Sequence, residues 1–151
     1  MVYIGVDPGK NGAYAIFGDD GSAKAYPWDN EMFVKHMRFA TIMRDREGHR
    51  LIVCIEKVGA MPGQGVTSMF NFGKSAGYIE GVLAALGIPY QLIVPRKWKS
   101  EFGLNGSKDN SIEVCKRLFP DVSLRRTDRC RKDDDGMAEA LLMAEYARRK
   151  L

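Results

Sequence analysis

Apolar residues recur along this chain at strand spacing and at helical spacing by turns, and the order of the switches limits the architecture before any single residue is considered. Val2 to Asp7 reads as a buried strand. After the loop Pro8-Gly9-Lys10-Asn11-Gly12, Ala13 to Phe17 reads as a second strand, and the turn signal Gly18-Asp19-Asp20-Gly21 leads into a third at Ala23 to Tyr26. Asp29 or Asn30 caps a helix whose apolar residues Phe33, Met37 and Ala40 share one face, and which ends near Gly48. Leu51 to Glu56 returns to strand. Ser68 then caps a long helix that reaches Leu86 and stops at Gly87. Tyr90 to Val94 is a fifth strand, Pro95 opens a short helical turn, Asp109 to Leu118 forms a surface helix, and a last helix spans Asp133 to Arg149. Three hairpin-connected strands followed by alternating helices and strands predict an α/β fold: a five-stranded mixed β-sheet flanked by α-helices.

At 151 residues the chain suits one domain, residues 1–151, with a core of ordinary size. No stretch approaches the roughly 18 consecutive apolar residues of a spanning helix, so no membrane role is expected. Cys54, Cys115 and Cys130 lack the CxxC spacing of a zinc site, and neither His36 nor His49 stands near them in sequence. Reduced thiols without a signal peptide point to a cytoplasm. The formal charge is +4 and is unevenly placed. Residues 1 to 90 carry nine charges of each sign, whereas residues 91 to 151 carry fourteen basic against ten acidic. A local basic face of this kind suits a polyanion. Its densest part is Arg125 to Lys132, with five basic residues and one acidic.

Chemistry is signalled by the acids. Asp7 ends one apolar strand and Glu56 ends another, and a carboxylate at the mouth of a core costs several kcal/mol unless it is paired or binds a cation. The last helix opens on Asp133-Asp134-Asp135, which suit a helix N-terminus as caps, and Glu139 follows past the first turn, where capping no longer accounts for it. Asp135 and Glu139 are four apart and share a helix face. Four carboxylates gathered by two strand ends and one helix are stable only with cations between them. Oxygen ligands without His or Cys suit Mg²⁺ or Mn²⁺, and two such ions can activate water against a phosphodiester.

The segments Ile4-Gly5-Val6-Asp7-Pro8-Gly9, Ile55-Glu56 and Asp135-Gly136-Met137-Ala138-Glu139-Ala140-Leu141-Leu142, with Gly73-Lys74-Ser75-Ala76-Gly77 between them, resemble the RuvC-like Holliday junction resolvases of the RNase H-like superfamily, particularly those of bacteriophages. The resemblance implies an RNase H-like fold and a homodimer that cuts four-way DNA junctions by paired symmetric nicks, using Mg²⁺ or Mn²⁺, two ions per site. It implies Asp7, Glu56, Asp135 and Glu139 as catalytic and metal-binding residues, with Asp134 as the substitute for Asp135. The bacterial pattern has two aspartates three apart, and three before Glu139 this chain has Gly136. The resemblance further implies DNA contacts from Phe70, which stacks on a base, and from Lys74, Arg96, Lys97, Lys99 and Lys108. The basic run adds Arg125, Arg126 and Lys132. Gly73, Gly77 and Gly81, at four-residue spacing, either admit a second helix at a dimer interface or pack on the sheet.

Other readings use the same residues. The carboxylates report chemistry and not substrate, so a nuclease of this fold acting on flaps or forks is an alternative, as is a non-catalytic junction-binding protein whose acids are caps. An actin-like nucleotide-binding fold shares the first strand and its glycine turn, but the chain is short and lacks a second phosphate loop. Gly73-Lys74-Ser75 resembles the end of a phosphate-binding loop, but position 68 holds Ser68 where that loop needs its first glycine, so no nucleotide cofactor is expected.

Overall fold

A computed structural model describes residues 1–57, 59, 62–104 and 110–151. Its elements follow the expected order: β1 (Val2–Asp7), β2 (Ala13–Gly18), β3 (Ala23–Pro27), α1 (Asn30–Glu47), β4 (Leu51–Glu56), α2 (Val66–Ala85), β5 (Tyr90–Ile93), α3 (Pro95–Glu101), α4 (Ser111–Leu118) and α5 (Asp135–Lys150). The strands form one sheet in the order β3-β2-β1-β4-β5. β2 pairs antiparallel with both β1 and β3, while β4 runs parallel to β1 and to β5. Among the described residues no helix is long and apolar enough to cross a membrane.

Strand side chains alternate between faces, so each face gathers its own core. On one face Ile4, Val6, Tyr14, Val53 and Ile55 meet Phe33 and Met37 of α1 and Ile79 and Leu83 of α2. On the other, Tyr3, Ala13, Ala15 and Cys54 meet the apolar surface of α5, with Trp98 of α3 and Cys115 of α4 beside it. Asp7 and Glu56 fall on this second face, because they stand two residues beyond Gly5 and Cys54.

Helix starts differ from the sequence expectation at α2, α4 and α5; α4, expected from Asp109, begins at Ser111, and Asp109 lies outside the described residues. α2 begins at Val66 after Gly65, with no side-chain cap, so Ser68 lies inside the helix and not at its end. α5 is capped by Asp134, whose Oδ1 accepts from Met137 N at 2.9 Å, so the helix starts at Asp135, two residues later than the expected Asp133. Asp29, of the two candidates, caps α1 by accepting from Met32 N at 2.8 Å.

Candidate metal centre

β1 and β4 are paired in parallel with Gly5 opposite Cys54 and Val6 opposite Ile55, so the next step sets Asp7 beside Glu56 at the carboxyl ends of both strands. Ligands of open parallel sheets gather at these ends. The third acid comes from above. α5 lies directly on β1, and a Cβ at Gly5 would stand 2.0 Å from Ala140 O and 2.5 Å from Ala144 N. Any side chain at Gly5 would therefore lift the helix. With hydrogen there, Glu139, the residue before Ala140, descends onto the strand ends.

Asp7, Glu56 and Glu139 each offer a carboxylate oxygen, and the three oxygens lie within 4.8 Å of one another. Burial pushes the Asp7 carboxyl up to about 8; Glu56 and Glu139 push it the same way, and Lys99 opposes them. Such mutual repulsion is what a hard cation relieves, and an all-oxygen donor set of three carboxylates fits Mg²⁺ or Mn²⁺.

Neighbouring side chains orient this set. Trp98 Nε1 donates to Glu56 Oε2 at 2.8 Å. Lys99 Nζ donates to Glu139 Oε1 at 3.0 Å, and the hydroxyl of Ser111, 1% exposed, donates to the same oxygen at 3.3 Å. Trp98 and Ser111 carry no acidic or basic signal in the sequence, and their spacing from the acids they touch follows from the fold alone.

Asp135 is not brought to this centre; it is exposed at the first turn of α5. Sharing a helix face with Glu139 is not enough, because the sheet meets the other edge of that face. There stands Gly136, where a Cβ would lie 3.2 Å from Asp7 Oδ2 and 2.9 Å from Asn11 O. Asp134 is nearer and is already occupied: Arg126 donates through Nε to its Oδ2 at 2.5 Å and through Nη2 to its Oδ1 at 3.2 Å. Asp133 pairs with Lys116 at 2.7 Å.

The expected DNA contacts divide in the same way. Phe70, 69% exposed, stands out from the first turns of α2, and Lys74, Arg96, Lys97, Arg125 and Lys132 are also exposed. Phe72 instead packs on the loop after Asp7, against Gly9. Lys99 faces the carboxylates. Arg126 is turned inward: besides Asp134, its Nη2 donates to the carbonyls of Asn11 and Gly12, tying the loop after Asp7 to the start of Glu139's helix. Lys108 lies outside the described residues.

No protein-family model matches the chain. It is similar in sequence to the chloroplastic Holliday junction resolvase MOC1 of Chlamydomonas reinhardtii, 32% identical over 97 residues, which is 62% of this chain and 10% of that protein. The chain thus spans about a tenth of the length of this curated relative. In structure it matches T. thermophilus RuvC solved in complex with a Holliday junction substrate, at a TM-score of 0.53 and 15% identity over 99% of this chain and 96% of that one.

The fold is that of RuvC.

The yeast mitochondrial Holliday junction resolvase Ydc2 gives a second match, with a TM-score of 0.51 and 13% identity over 93% of this chain and 75% of that one. The five-stranded mixed sheet and its helices are therefore an RNase H-like frame of the RuvC kind. On that RuvC-like frame the three carboxylates occupy the carboxyl ends of two neighbouring parallel strands and the helix that crosses them.

Proposed function

We propose that this chain, acting as a single RuvC-like domain, is a metal-dependent endonuclease that resolves four-way DNA junctions by paired symmetric nicks. The observation that carries the reading is the convergence of Asp7, Glu56 and Glu139 on a RuvC fold. Similarity to resolvases in both sequence and fold supports the junction as substrate.

Asp7, Glu56 and Glu139 hold Mg²⁺ or Mn²⁺, two ions in our reading. Bound there, the metal supplies an activated water and charge stabilisation at the departing 3′ oxygen. Lys99 fixes Glu139 and adds positive charge where the scissile phosphate would lie. Phe70 stacks on a base exposed at the branch point. Lys74, Arg96, Lys97, Lys108, Arg125 and Lys132 meet phosphates, which position the DNA without reading its sequence. Asp135, on the solvent side of α5, has no place among the metal ligands of this reading.

Symmetric cutting needs two sites, and α2 offers a means of pairing them. Gly73, Gly77 and Gly81 are exposed, and a Cβ at any of them would meet nothing within 4 Å among the described residues. Packing on the described part of the sheet does not use them, which supports the reading that a second copy of the chain does, in a homodimer. The free thiols of Cys54, Cys115 and Cys130 suit a reducing compartment such as a bacterial cytoplasm, in which a phage protein would also work.

A denaturing-gel assay tests this on a synthetic four-way junction and a matched linear duplex, with Mg²⁺, Mn²⁺ or EDTA. Paired nicks in the junction alone are expected, lost with EDTA and reduced about 10³-fold or more in Asp7→Asn and Glu56→Gln, since each removes several kcal/mol of metal-borne stabilisation. Equal cutting of flaps, forks or duplex would demote the chain to a general branched-DNA nuclease. Tight junction binding with no cutting under any metal would make it a binding module.

A further inference from the structure

Helix α3 is polar apart from Trp98, its sequence being Pro95-Arg96-Lys97-Trp98-Lys99-Ser100-Glu101. That side chain is 0% exposed and sits in the core on the α5 face of the sheet. Hydrophobic anchoring of α3 accounts for an apolar ring at this position but not for an indole, because leucine or phenylalanine would fill a core without carrying a polar atom. A buried indole N–H needs an acceptor, and one left unmatched is costly. The acceptor here is Glu56 Oε2 at 2.8 Å, across 42 positions of sequence. Glu56, the last residue of β4, has one more rotatable bond to be held in place than Asp7, as has Glu139, which Lys99 and Ser111 hold.

We propose that Trp98 is a positioning residue of the metal centre: its indole N–H fixes the plane of the Glu56 carboxylate so that this side chain is set for a divalent cation before the cation arrives. The inference rests on reading Asp7, Glu56 and Glu139 as a metal site. Groups that orient metal ligands from behind are commonly worth about 10- to 100-fold in metal affinity. The same ring lies beneath Lys99, whose Nζ is 5.2 Å from the ring centroid, so one buried side chain supports contacts to two of the three acids.

The chain has two tryptophans, Trp28 and Trp98, so its indole N–H resonances in a ¹H–¹⁵N spectrum are two and are assigned by their loss in Trp98→Phe. Trp28 donates to Asn30 instead and serves as an internal reference. Mg²⁺ titrated into the full chain should move the Trp98 resonance saturably and leave that of Trp28 in place. Calorimetric titration of Mg²⁺ and of Mn²⁺ should show about a tenfold or greater loss of affinity in Trp98→Phe. Phe33→Leu, a core truncation on the opposite sheet face, should bind metal as the wild type does, which separates positioning from general destabilisation. A Trp98 resonance unmoved by saturating Mg²⁺, or affinities in Trp98→Phe within twofold of wild type, would overturn the proposal while leaving the metal site intact. A loss of affinity in Phe33→Leu equal to that in Trp98→Phe would also overturn it. Failure of the wild type to bind either metal would overturn the site itself and the proposal with it.

Discussion

Helices α5 and α2 lie on opposite faces of the same sheet and use their surfaces in opposite ways. Ten of α5's sixteen residues are buried, against three of α2's twenty. Glycine matters to both, to contrary ends. The glycine that serves α5 lies beneath it, at Gly5 on β1, and removes the space between helix and strand. The glycines of α2 are its own, are exposed, and have open space where a Cβ would stand among the described residues. Close packing on one side fixes where Glu139 stands, and the other side leaves most of a helix surface uncovered among the described residues. Rigid placement of a carboxylate and an open helix surface are thus divided between two helices and not traded off within one.

The contrast is broken most sharply at Gly5. A methyl there collides with the backbone of α5, which cannot turn aside as a side chain can, so Gly5→Ala should cost about 3 kcal/mol in denaturant unfolding and abolish cleavage as Glu139 is lifted from Asp7. A loss below about 1 kcal/mol with cleavage retained would mean that α5 rides up freely and that its seating does not set the site.

A smaller effect is expected at the start of α5. Arg126 holds the capping Asp134 and two carbonyls of the loop after Asp7, so Arg126→Ala should cost about 1 to 2 kcal/mol of stability, the range of a lost cap and its hydrogen bonds. Arg125, its exposed neighbour, should behave in the opposite sense. Arg125→Ala should leave stability unchanged and reduce the slope of log affinity against log salt for junction DNA by about 1, a slope that Arg126→Ala should leave alone. Equal salt slopes for the two variants would return Arg126 to the DNA surface.

The smallest effect tests α2. Gly77→Ala fits without a clash and should stabilise the isolated chain by up to about 1 kcal/mol through helix propensity. If a second copy uses that stripe, the same variant should weaken self-association in sedimentation velocity. Self-association unchanged by Gly77→Ala would place the dimer contact elsewhere.

These residues also show what the sequence could and could not convey. β4 was legible from Leu51 to Glu56 because an apolar run ending in an acid has clear limits, and the same logic found Asp7. Glu139 stood out because capping could not explain an acid between Ala138 and Ala140. Helical spacing alone misplaced Asp135, since sharing a face with Glu139 says nothing about which edge of that face the sheet will meet. The onset of α2 is obscured because Ser68 resembles a cap, whereas the helix starts three residues earlier than such a cap would set it, without one. Arg126 reads as part of a charge run, and only the return of the chain to the β1–β2 loop reveals its partners. Trp98 and Ser111 were silent for the same reason.

β1 is the middle strand of the sheet, bonded on both sides along its length and covered by α5. Its amides should therefore be among the slowest to exchange with solvent, and openings that free the edge strands β3 or β5 leave it paired. Asp7 and its neighbour Glu56 thus stand in the part of the molecule expected to come apart last, so local fluctuation at the sheet edges need not disperse these carboxylates.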